Sequence, residues 1–193
     1  MQGIPLNERK RLGALLDDRP QTEVMAMIPQ FSQAETDNFV APPAQIPEAL
    51  GVLMFNMERG VNLPEIQEFL RDCPDIQPFD VILANELDDG CARSGNKNTA
   101  RELAQAFGLN YAWGLEFIEL VNDENAKGFH GNAVFSRWPI RRAGVIRLPE
   151  QYNWYFDRQK RIGGRLAVFA ELDVGGQPVG AVSIHLENRT HGE

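Results

Sequence analysis

Residues 81–90 read VILANELDDG, an apolar segment that ends in three carboxylates within four residues. The opening residues, Val81 to Leu83, are typical of a buried β-strand, because aliphatic and β-branched side chains pack well on a pleated surface. The acids that follow, Glu86, Asp88 and Asp89, repel one another and resist removal from water. The end of this strand must therefore lie where negative charge is tolerated, and a neighbouring cation would provide such a place.

Length and composition are typical of one soluble globular domain. The chain has 193 residues, of which 43% are hydrophobic and 24% charged, and a chain of this size buries roughly 70% of its unfolded surface. No stretch is long and apolar enough for a signal peptide or a membrane span, so we expect a cytoplasmic protein without a membrane span. Cys73 and Cys91 lack a CxxC spacing, and we expect buried free thiols rather than a zinc site or a bridge.

The charge distribution is uneven along the chain. The net charge of -8 argues against non-specific coating of nucleic acid, which depends on many basic side chains. Residues 56–90 contain nine acidic and two basic residues, whereas residues 137–165 contain eight basic and two acidic ones. An acidic segment and a basic segment together suit a cation beside a phosphate. The alternative is that most of these charges are simply solvated.

The order of apolar segments indicates an α/β layered fold with mixed sheets packed face to face. Residues 1–48 combine a candidate helix over residues 6–17 with proline-rich polar sequence, and we expect a poorly defined lead-in segment. Residues 49–193 form the predicted domain. Candidate strands cover residues 50–56, 80–86, 111–120, 131–137, 142–148, 164–174 and 178–187, and candidate helices cover residues 63–73 and 99–108.

Polar, chemically useful side chains follow three of these strands. They are Asn56 and Glu58 after the first, Glu86 after the second, and His185, Glu187 and Asn188 at the last. In layered α/β folds ligands bind at such a sheet edge, because its side chains are held rigidly and still reach water. Carboxylate and amide oxygens suit magnesium, manganese or calcium. The alternative is that these residues are polar only because the chain leaves the core there.

Four motifs occur in an order and spacing that resemble a known family. They are FNMERG at residues 55–60, ANELDDG at 84–90, GFHGNAVFSRWPI at 128–140 and VSIHLENRT at 182–190. Across about residues 50–189 the chain resembles the endonuclease/exonuclease/phosphatase superfamily, which has the deoxyribonuclease-I-like fold. The resemblance implies an α/β fold that is part of a four-layer α/β/β/α sandwich with mixed, mainly antiparallel sheets. It also implies hydrolysis of phosphodiester or phosphomonoester bonds with Mg²⁺ or Mn²⁺.

The resemblance assigns expected roles to four strand-end residues. Glu86 would be the principal metal ligand and part of the catalytic set. Asn56 would hydrogen-bond the phosphate or orient a carboxylate beside the metal, and Glu58 would complete the metal shell. His185 would lie against the scissile phosphate, where an imidazole can stabilise charge or transfer a proton at neutral pH. Structural alternatives are a turn cap for Asn56, a solvated acid for Glu58 and a half-buried strand histidine for His185.

Further residues are candidates for binding the phosphate, namely Asn132, Arg137, His130 and Arg165. The residues of the GNAVFSR segment, Asn132 and Arg137 among them, could instead serve only turn and strand structure. Asp88 and Asp89 are expected to shape the loop after Glu86. The three tryptophans are expected to pack in the core or at its rim rather than stack on bases, because no basic-aromatic alternation surrounds them. They are Trp113, Trp138 and Trp154.

Two motifs of the family do not occur within the 193 residues. These are the G-D-x-N segment, which supplies an aspartate that activates water, and the S-D-H segment, which supplies a further metal ligand and histidine. We therefore expect an N-terminal, truncated portion of the domain with little or no hydrolytic activity, from a protein that is a monomer when complete. The alternative is a non-catalytic binding or scaffold module that retains half of the fold. The phosphate ester remains open between nucleic acid, phospholipid and sugar phosphate.

Overall fold

The computed structural model describes residues 1–188, so Arg189 and Thr190 of the fourth motif lie outside the described residues. The helices are α1 (Leu6–Ala14), α2 (Gln21–Ala26), α3 (Leu63–Asp72) and α4 (Thr99–Phe107). The strands are β1 (Ala34–Asp37), β2 (Val52–Arg59), β3 (Val81–Asp89), β4 (Asn110–Glu119), β5 (Phe129–Ser136), β6 (Ile140–Arg147), β7 (Arg161–Gly163), β8 (Leu166–Val174) and β9 (Gln177–Ile184).

The strands form two sheets. The larger has the order β1-β4-β5-β3-β2, and β7 also pairs with β4, beside its C-terminal half. Within it β2 and β3 are parallel, whereas every other pair is antiparallel. The smaller sheet is antiparallel and has the order β6-β8-β9. The expected α/β fold with mixed, mainly antiparallel sheets is therefore confirmed.

The larger sheet is covered on both faces, and all ten residues of β4 are buried as a result. On one face Tyr111 and Trp113 pack with Leu12 of α1, Leu70 of α3 and Leu103 of α4. On the other face the smaller sheet packs through a second apolar cluster. That cluster includes Ala112, Val134, Ile140, Val168 and Leu172. The described residues thus form a helix layer and two sheet layers, and the gap between the two sheets is closed by apolar side chains at its centre.

Residues 1–48 were expected to form a poorly defined lead-in, but the structure builds much of this segment into the core. Helix α1 buries Leu12, the segment after α2 buries Phe31, and β1 pairs with β4 from Ala34 to Asp37. Arg147 of β6 donates hydrogen bonds to the Phe31 carbonyl oxygen and lies 4.7 Å from that ring. The segment was hard to read because its helices are short and its buried residues are widely spaced.

Helix α4 begins at Thr99, the first residue of the candidate helix over residues 99–108. The N-cap is Asn98, whose side-chain oxygen accepts a hydrogen bond from Arg101 N at 2.9 Å. The Thr99 hydroxyl donates to the Asp88 carbonyl oxygen at 2.8 Å. Gly108 ends the helix in the left-handed conformation, as expected of a glycine stop.

Both cysteines are free thiols: Cys91 is buried and Cys73 is partly exposed. Over residues 1–188, none of the helices is long and apolar enough to cross a membrane.

Candidate active site

Three strands of the larger sheet, β2, β3 and β4, are irregular at the same end. The register shifts in β2 between Asn56 and Arg59, in β3 between Ala84 and Leu87, and in β4 between Leu115 and Phe117. A β-bulge of this kind inserts an extra residue and re-aims the side chains that follow it. Such bulges are over-represented beside active sites, so this end of the sheet is a candidate active site.

The backbone is strained at the bulges of β2 and β3. Glu58, Arg59 and Glu86 have φ values of 46°, 67° and 58°, in the left-handed region that side chains disfavour. Each such residue costs roughly 1–3 kcal/mol and persists only where its surroundings hold it. The Glu58 backbone N–H donates to Asn56 Oδ1 at 2.9 Å, and the Glu86 N–H donates to Asn132 Oδ1 at 3.2 Å. Two of the asparagines identified in the sequence therefore hold the strained segments in place.

A pocket of about 500 Å³ lies at this end of the two sheets. Predicted site residues on its lining are Glu86, His130, Arg165 and His185. They come from β3, from β5, from the residue preceding β8 and from the residue after β9, respectively. Separate strands thus bring an acid, two imidazoles and a guanidinium group to one cavity. Asn56 and Glu58, the other expected ligands, are not among the residues that line it.

Glu86 and His185 lie at the centre of this pocket. Glu86 Oε1 is 3.9 Å from His185 Nε2, and the two side chains are 24% and 19% exposed. Burial acts to raise the pKa of Glu86, but His130, a hydrogen bond from the Asn56 side chain, His185 and Arg59 together lower that pKa below its usual value. Glu86 is therefore a carboxylate near neutral pH, and Asn56 lies next to it.

Glu116 is a site residue that sequence reasoning missed. Its side chain is fully buried, Oε1 accepts from Arg165 Nη1 at 3.2 Å, and Oε2 lies 3.6 Å from His185 Nδ1 and 3.9 Å from His130 Nε2. It is the extra residue of the β4 bulge. The available signal was an acid inside the apolar run YAWGLEF, because a buried carboxylate needs charged or hydrogen-bonding partners.

Asp88 and His130 form a second acid–imidazole pair beneath the pocket. His130 Nδ1 is 2.9 Å from Asp88 Oδ1, and Arg93 donates two hydrogen bonds to the same carboxylate at 2.7 and 2.8 Å. Burial opposes ionisation of Asp88, but the hydrogen bonds and charges of Arg93 and His130 prevail and lower its pKa to about 2. His130 is only 2% exposed, so it supports the pocket from below.

Two of the three acids that end the apolar segment VILANELDDG are paired with basic side chains. Asp88 is neutralised by Arg93, and Asp89 by Lys127 at 2.7 Å. These pairs anchor the segments after β3, in line with the expected loop-shaping role of the two aspartates. Glu86 is the acid of the three that faces the pocket.

The GNA part of the third motif has a structural role beside the site. A Cβ on Gly131 would lie 2.0 Å from the Gly114 carbonyl oxygen and 2.8 Å from the Trp113 ring, so only glycine fits there. Asn132 is fully buried and holds the Glu86 backbone. Its Nδ2 finds no hydrogen-bond partner within residues 1–188. The structure therefore places Asn132 behind Glu86, where it positions that residue.

Arg137 does not join the site. It follows β5, and the antiparallel pairing sets the neighbouring Ser136 opposite Val81, at the start of β3. Glu86 is five residues further along β3, roughly 16 Å at 3.3 Å per residue. Arg137 lines a different cavity together with Trp138 and Asp80. The structure therefore does not bring Arg137 to the pocket of Glu86, because its motif runs along a whole strand and ends at the opposite edge.

Trp154 packs at the rim of the pocket, whereas Trp113 and Trp138 are each 1% exposed in the core. The Trp154 Nε1 donates to Glu187 Oε2 at 2.7 Å, and Glu187 also pairs with Arg165 at 3.1 Å. The expected packing role of the tryptophans agrees with these positions.

The donor set allows a partly hydrated metal ion. Within residues 1–188, no three histidine, cysteine, aspartate or glutamate side chains are grouped so as to hold a metal by themselves. Glu58 is exposed, and its side chain has no ion pair in that range. Mg²⁺ is commonly bound by one or two carboxylates, with water and substrate oxygens completing its shell. A single carboxylate, Glu86, next to the amide of Asn56 fits that pattern, whereas a complete protein cage does not.

Comparisons with known proteins identify the fold. No protein-family model matches the sequence, and no curated protein matches it significantly. An endonuclease/exonuclease/phosphatase family protein from Leptotrichia buccalis matches 72% of this chain at 19% identity, with a TM-score of 0.50, over 55% of its own length. The 3′ phosphatase NExo from Neisseria, solved with a product DNA hairpin, matches 71% of this chain and 41% of its own length at 20% identity, with a TM-score of 0.39. A 3′-5′ exonuclease from Neisseria meningitidis matches 69% of this chain and 40% of its own length at 21% identity, with a TM-score of 0.38.

This chain therefore has the fold of the endonuclease/exonuclease/phosphatase superfamily, as its four motifs predict. It spans about half, or less, of the length of the solved structures that it matches.

Proposed function

We propose that this chain carries the Glu86–His185 part of a metal-dependent hydrolase of phosphodiester or phosphomonoester bonds. The observation that supports this most is the convergence of Glu86, His185 and Arg165 on one pocket, with Asn56 beside Glu86. An ionised carboxylate, an imidazole and a guanidinium group are the side chains that phosphate-ester hydrolysis needs in one place, since negative charge builds on the phosphate oxygens during attack.

In this proposal each side chain has a defined task. His185 lies against the phosphate through Nε2, where it stabilises charge or donates a proton to the departing oxygen. Arg165 Nη1 lies 3.0 Å from His185 Nδ1 and donates to it when that nitrogen carries no proton. Glu116 Oε2, 3.6 Å from the same nitrogen, stabilises the imidazolium by its charge when the nitrogen is protonated. Asn56 orients the Glu86 carboxylate and donates to a phosphate oxygen. Asn132 fixes the backbone from which Glu86 projects.

We propose that Glu86, with Asn56 beside it, holds Mg²⁺ or Mn²⁺. When bound, the ion neutralises the phosphate oxygens and makes phosphorus more susceptible to attack. Glu58 is proposed to act at most through water, because its side chain is exposed.

We further propose that the 193 residues bind metal and phosphate but hydrolyse esters slowly, because their sequence has neither G-D-x-N nor S-D-H. The same observation favours the second candidate, a non-catalytic module that binds a phosphate ester. Substrates in either case are nucleic acids, phospholipids or sugar phosphates.

Metal binding is tested without relying on turnover. Mn²⁺ is titrated into the 193-residue protein and free Mn²⁺ is followed by electron paramagnetic resonance. We expect one site that Glu86→Gln weakens at least about tenfold, because that change removes the only charged donor assigned to the ion. Glu171→Gln serves as the matched control, since Glu171 pairs with Arg142 on the smaller sheet. Equal Mn²⁺ affinity in the wild type and Glu86→Gln would remove the metal assignment.

Hydrolysis is tested with a chromogenic phosphodiester and a chromogenic phosphomonoester, with Mg²⁺ and with excess chelator. The hydrolase proposal expects Mg²⁺-dependent release that His185→Ala reduces by about 10²–10⁴-fold, the usual contribution of an acid–base group. The natural protein and the 193-residue chain are compared in the same assay. Phosphate binding without turnover in both would support the binding module and exclude the hydrolase.

A further inference from the structure

The pocket contains four arginines that fall into two groups. Arg161 and Arg165 are neutralised from behind, by Glu119 at 3.0 Å and by Glu116 and Glu187 at 3.2 and 3.1 Å. Arg59 and Arg158 line the same cavity and have no carboxylate partner within residues 1–188. Two positive charges are therefore available to a ligand from opposite parts of the chain, one from the β2 bulge and one from the loop before β7.

Arg59 is placed at the pocket by the strained end of β2. Its own φ is 67°, and its Nε is buried without a hydrogen-bond partner in the described part of the chain. It lines the cavity with Glu86 and Arg161, and its charge lowers the pKa of both groups. A buried guanidinium nitrogen without a partner is costly, and an anionic ligand would satisfy it.

The aromatic side of the pocket does not suit a cation. Binding of a quaternary ammonium group requires open aromatic faces. Arg161 and Arg165 already lie over the Trp154 ring, at 5.0 and 5.5 Å from its centre, and over the Phe117 ring at 5.2 and 5.4 Å. A third cation at Trp154 would be repelled by both guanidinium groups.

We propose that Arg59 and Arg158 bind a second phosphate group of the substrate, so that the pocket selects esters with at least two phosphates and rejects phosphocholine esters. This inference rests on the proposed function, in which Glu86 and His185 receive the first phosphate. The lining also carries two acids, Glu86 and Asp157, of which Glu86 is the carboxylate assigned to the metal ion. Nucleic acids and sugar bisphosphates share the required chemistry, whereas a zwitterionic phospholipid headgroup does not.

Binding is measured by calorimetry on the 193-residue protein with Mg²⁺, using two matched ligand pairs. One pair is thymidine 5′-monophosphate and thymidine 3′,5′-bisphosphate, and the other is fructose 6-phosphate and fructose 1,6-bisphosphate. We expect the second phosphate to tighten binding about tenfold in at least one pair, as charge-assisted hydrogen bonds would. The pair with the larger effect identifies nucleotide or sugar as the source. Phosphocholine is expected to bind no more tightly than either monophosphate.

Arg59→Gln and Arg158→Gln are each expected to reduce the tenfold preference to less than about threefold. Arg19→Gln is the control, because Arg19 is exposed and lies outside the pocket. Circular dichroism checks that each variant is folded.

A bisphosphate preference that is absent in the wild type, or that survives both substitutions, would overturn the inference, as would tight binding of phosphocholine. Monophosphate binding by His185→Ala distinguishes failure of this inference from failure of the proposed function. Monophosphate binding that depends on His185, without a bisphosphate preference, overturns only the second-phosphate site. If neither His185→Ala nor Glu86→Gln changes the affinity for the monophosphates, the proposed function is overturned and this inference with it.

Discussion

Oε2 of Glu116 lies 3.6 Å from Nδ1 of His185 and accepts no hydrogen bond within residues 1–188. The other oxygen of the same carboxylate pairs with Arg165 at 3.2 Å. A fully buried charge is thus divided between a guanidinium group and an imidazole at the base of the pocket. This arrangement makes Glu116 important both for stability and for the orientation of His185.

Removing the Glu116 carboxylate should strongly destabilise the fold. Glu116→Ala leaves Arg165, whose side chain is 11% exposed, without one of its two carboxylates. Loss of one partner of a buried ion pair lowers the free energy of unfolding by roughly 3–5 kcal/mol. Urea unfolding followed by fluorescence measures the change.

The matched control for that experiment is Glu171→Ala. Glu171 pairs with Arg142, whose side chain is 72% exposed, so the expected loss is below about 1 kcal/mol. Similar losses in the two variants would show that the Glu116 pair is no stronger than a surface pair.

Gly131 should not tolerate even a methyl group. Its added Cβ would lie 2.0 Å from the Gly114 carbonyl oxygen, and backbone cannot move aside as a side chain can. Gly131→Ala is expected to lower the free energy of unfolding by about 3 kcal/mol or more. Gly144→Ala, where nothing lies within 4 Å of the added Cβ, should change it by less than about 0.5 kcal/mol. Thermal unfolding compares the two, and a tolerated Gly131→Ala would contradict the close packing of β4 on β5.

The two cysteines should react at very different rates. Cys91 is 1% exposed, and burial raises the pKa of its thiol. Because the thiolate is the reactive form, Cys91 should stay unmodified in the native protein near neutral pH. Mass spectrometry after brief treatment with a thiol reagent should find one label, on Cys73, and two labels after unfolding. Native labelling that persists in Cys73→Ser would argue against the buried position of Cys91.

The N-terminal segment should contribute to the stability of the whole domain. Leu12 is 3% exposed, and Leu12→Ala is expected to cost about 2–5 kcal/mol of unfolding free energy through the cavity that it leaves. Ile46→Ala in the same segment is the control, since Ile46 is 60% exposed and should cost less than about 1 kcal/mol. Denaturant titration gives both values. A negligible effect of Leu12→Ala would restore the view of a separate lead-in.

Much of the fold could be predicted from apolar patterning, and the predicted strands and helices from residue 50 onward match β2 to β9, except for the short β7. The convergence of Glu86 and His185 also follows from strand ends that meet at one edge. Glu116 could not be found that way, because it lies within a strand and becomes a site residue only through a bulge. Arg137 was misplaced because a contiguous motif does not reveal which end of an antiparallel strand faces the pocket. Arg59 required knowledge of the left-handed turn after Asn56.

The bulge in β3 decides which side of the sheet its last residues face. Ile82 and Ala84 face the helices, and the extra residue lets Leu87 do the same while Asp88 turns toward His130. Deleting one residue between Ala84 and Leu87 would restore regular alternation and leave Leu87 facing the helices, but it would remove the left-handed bulge from which Glu86 enters the pocket. The number of residues at this end of the strand therefore determines whether a carboxylate reaches the pocket.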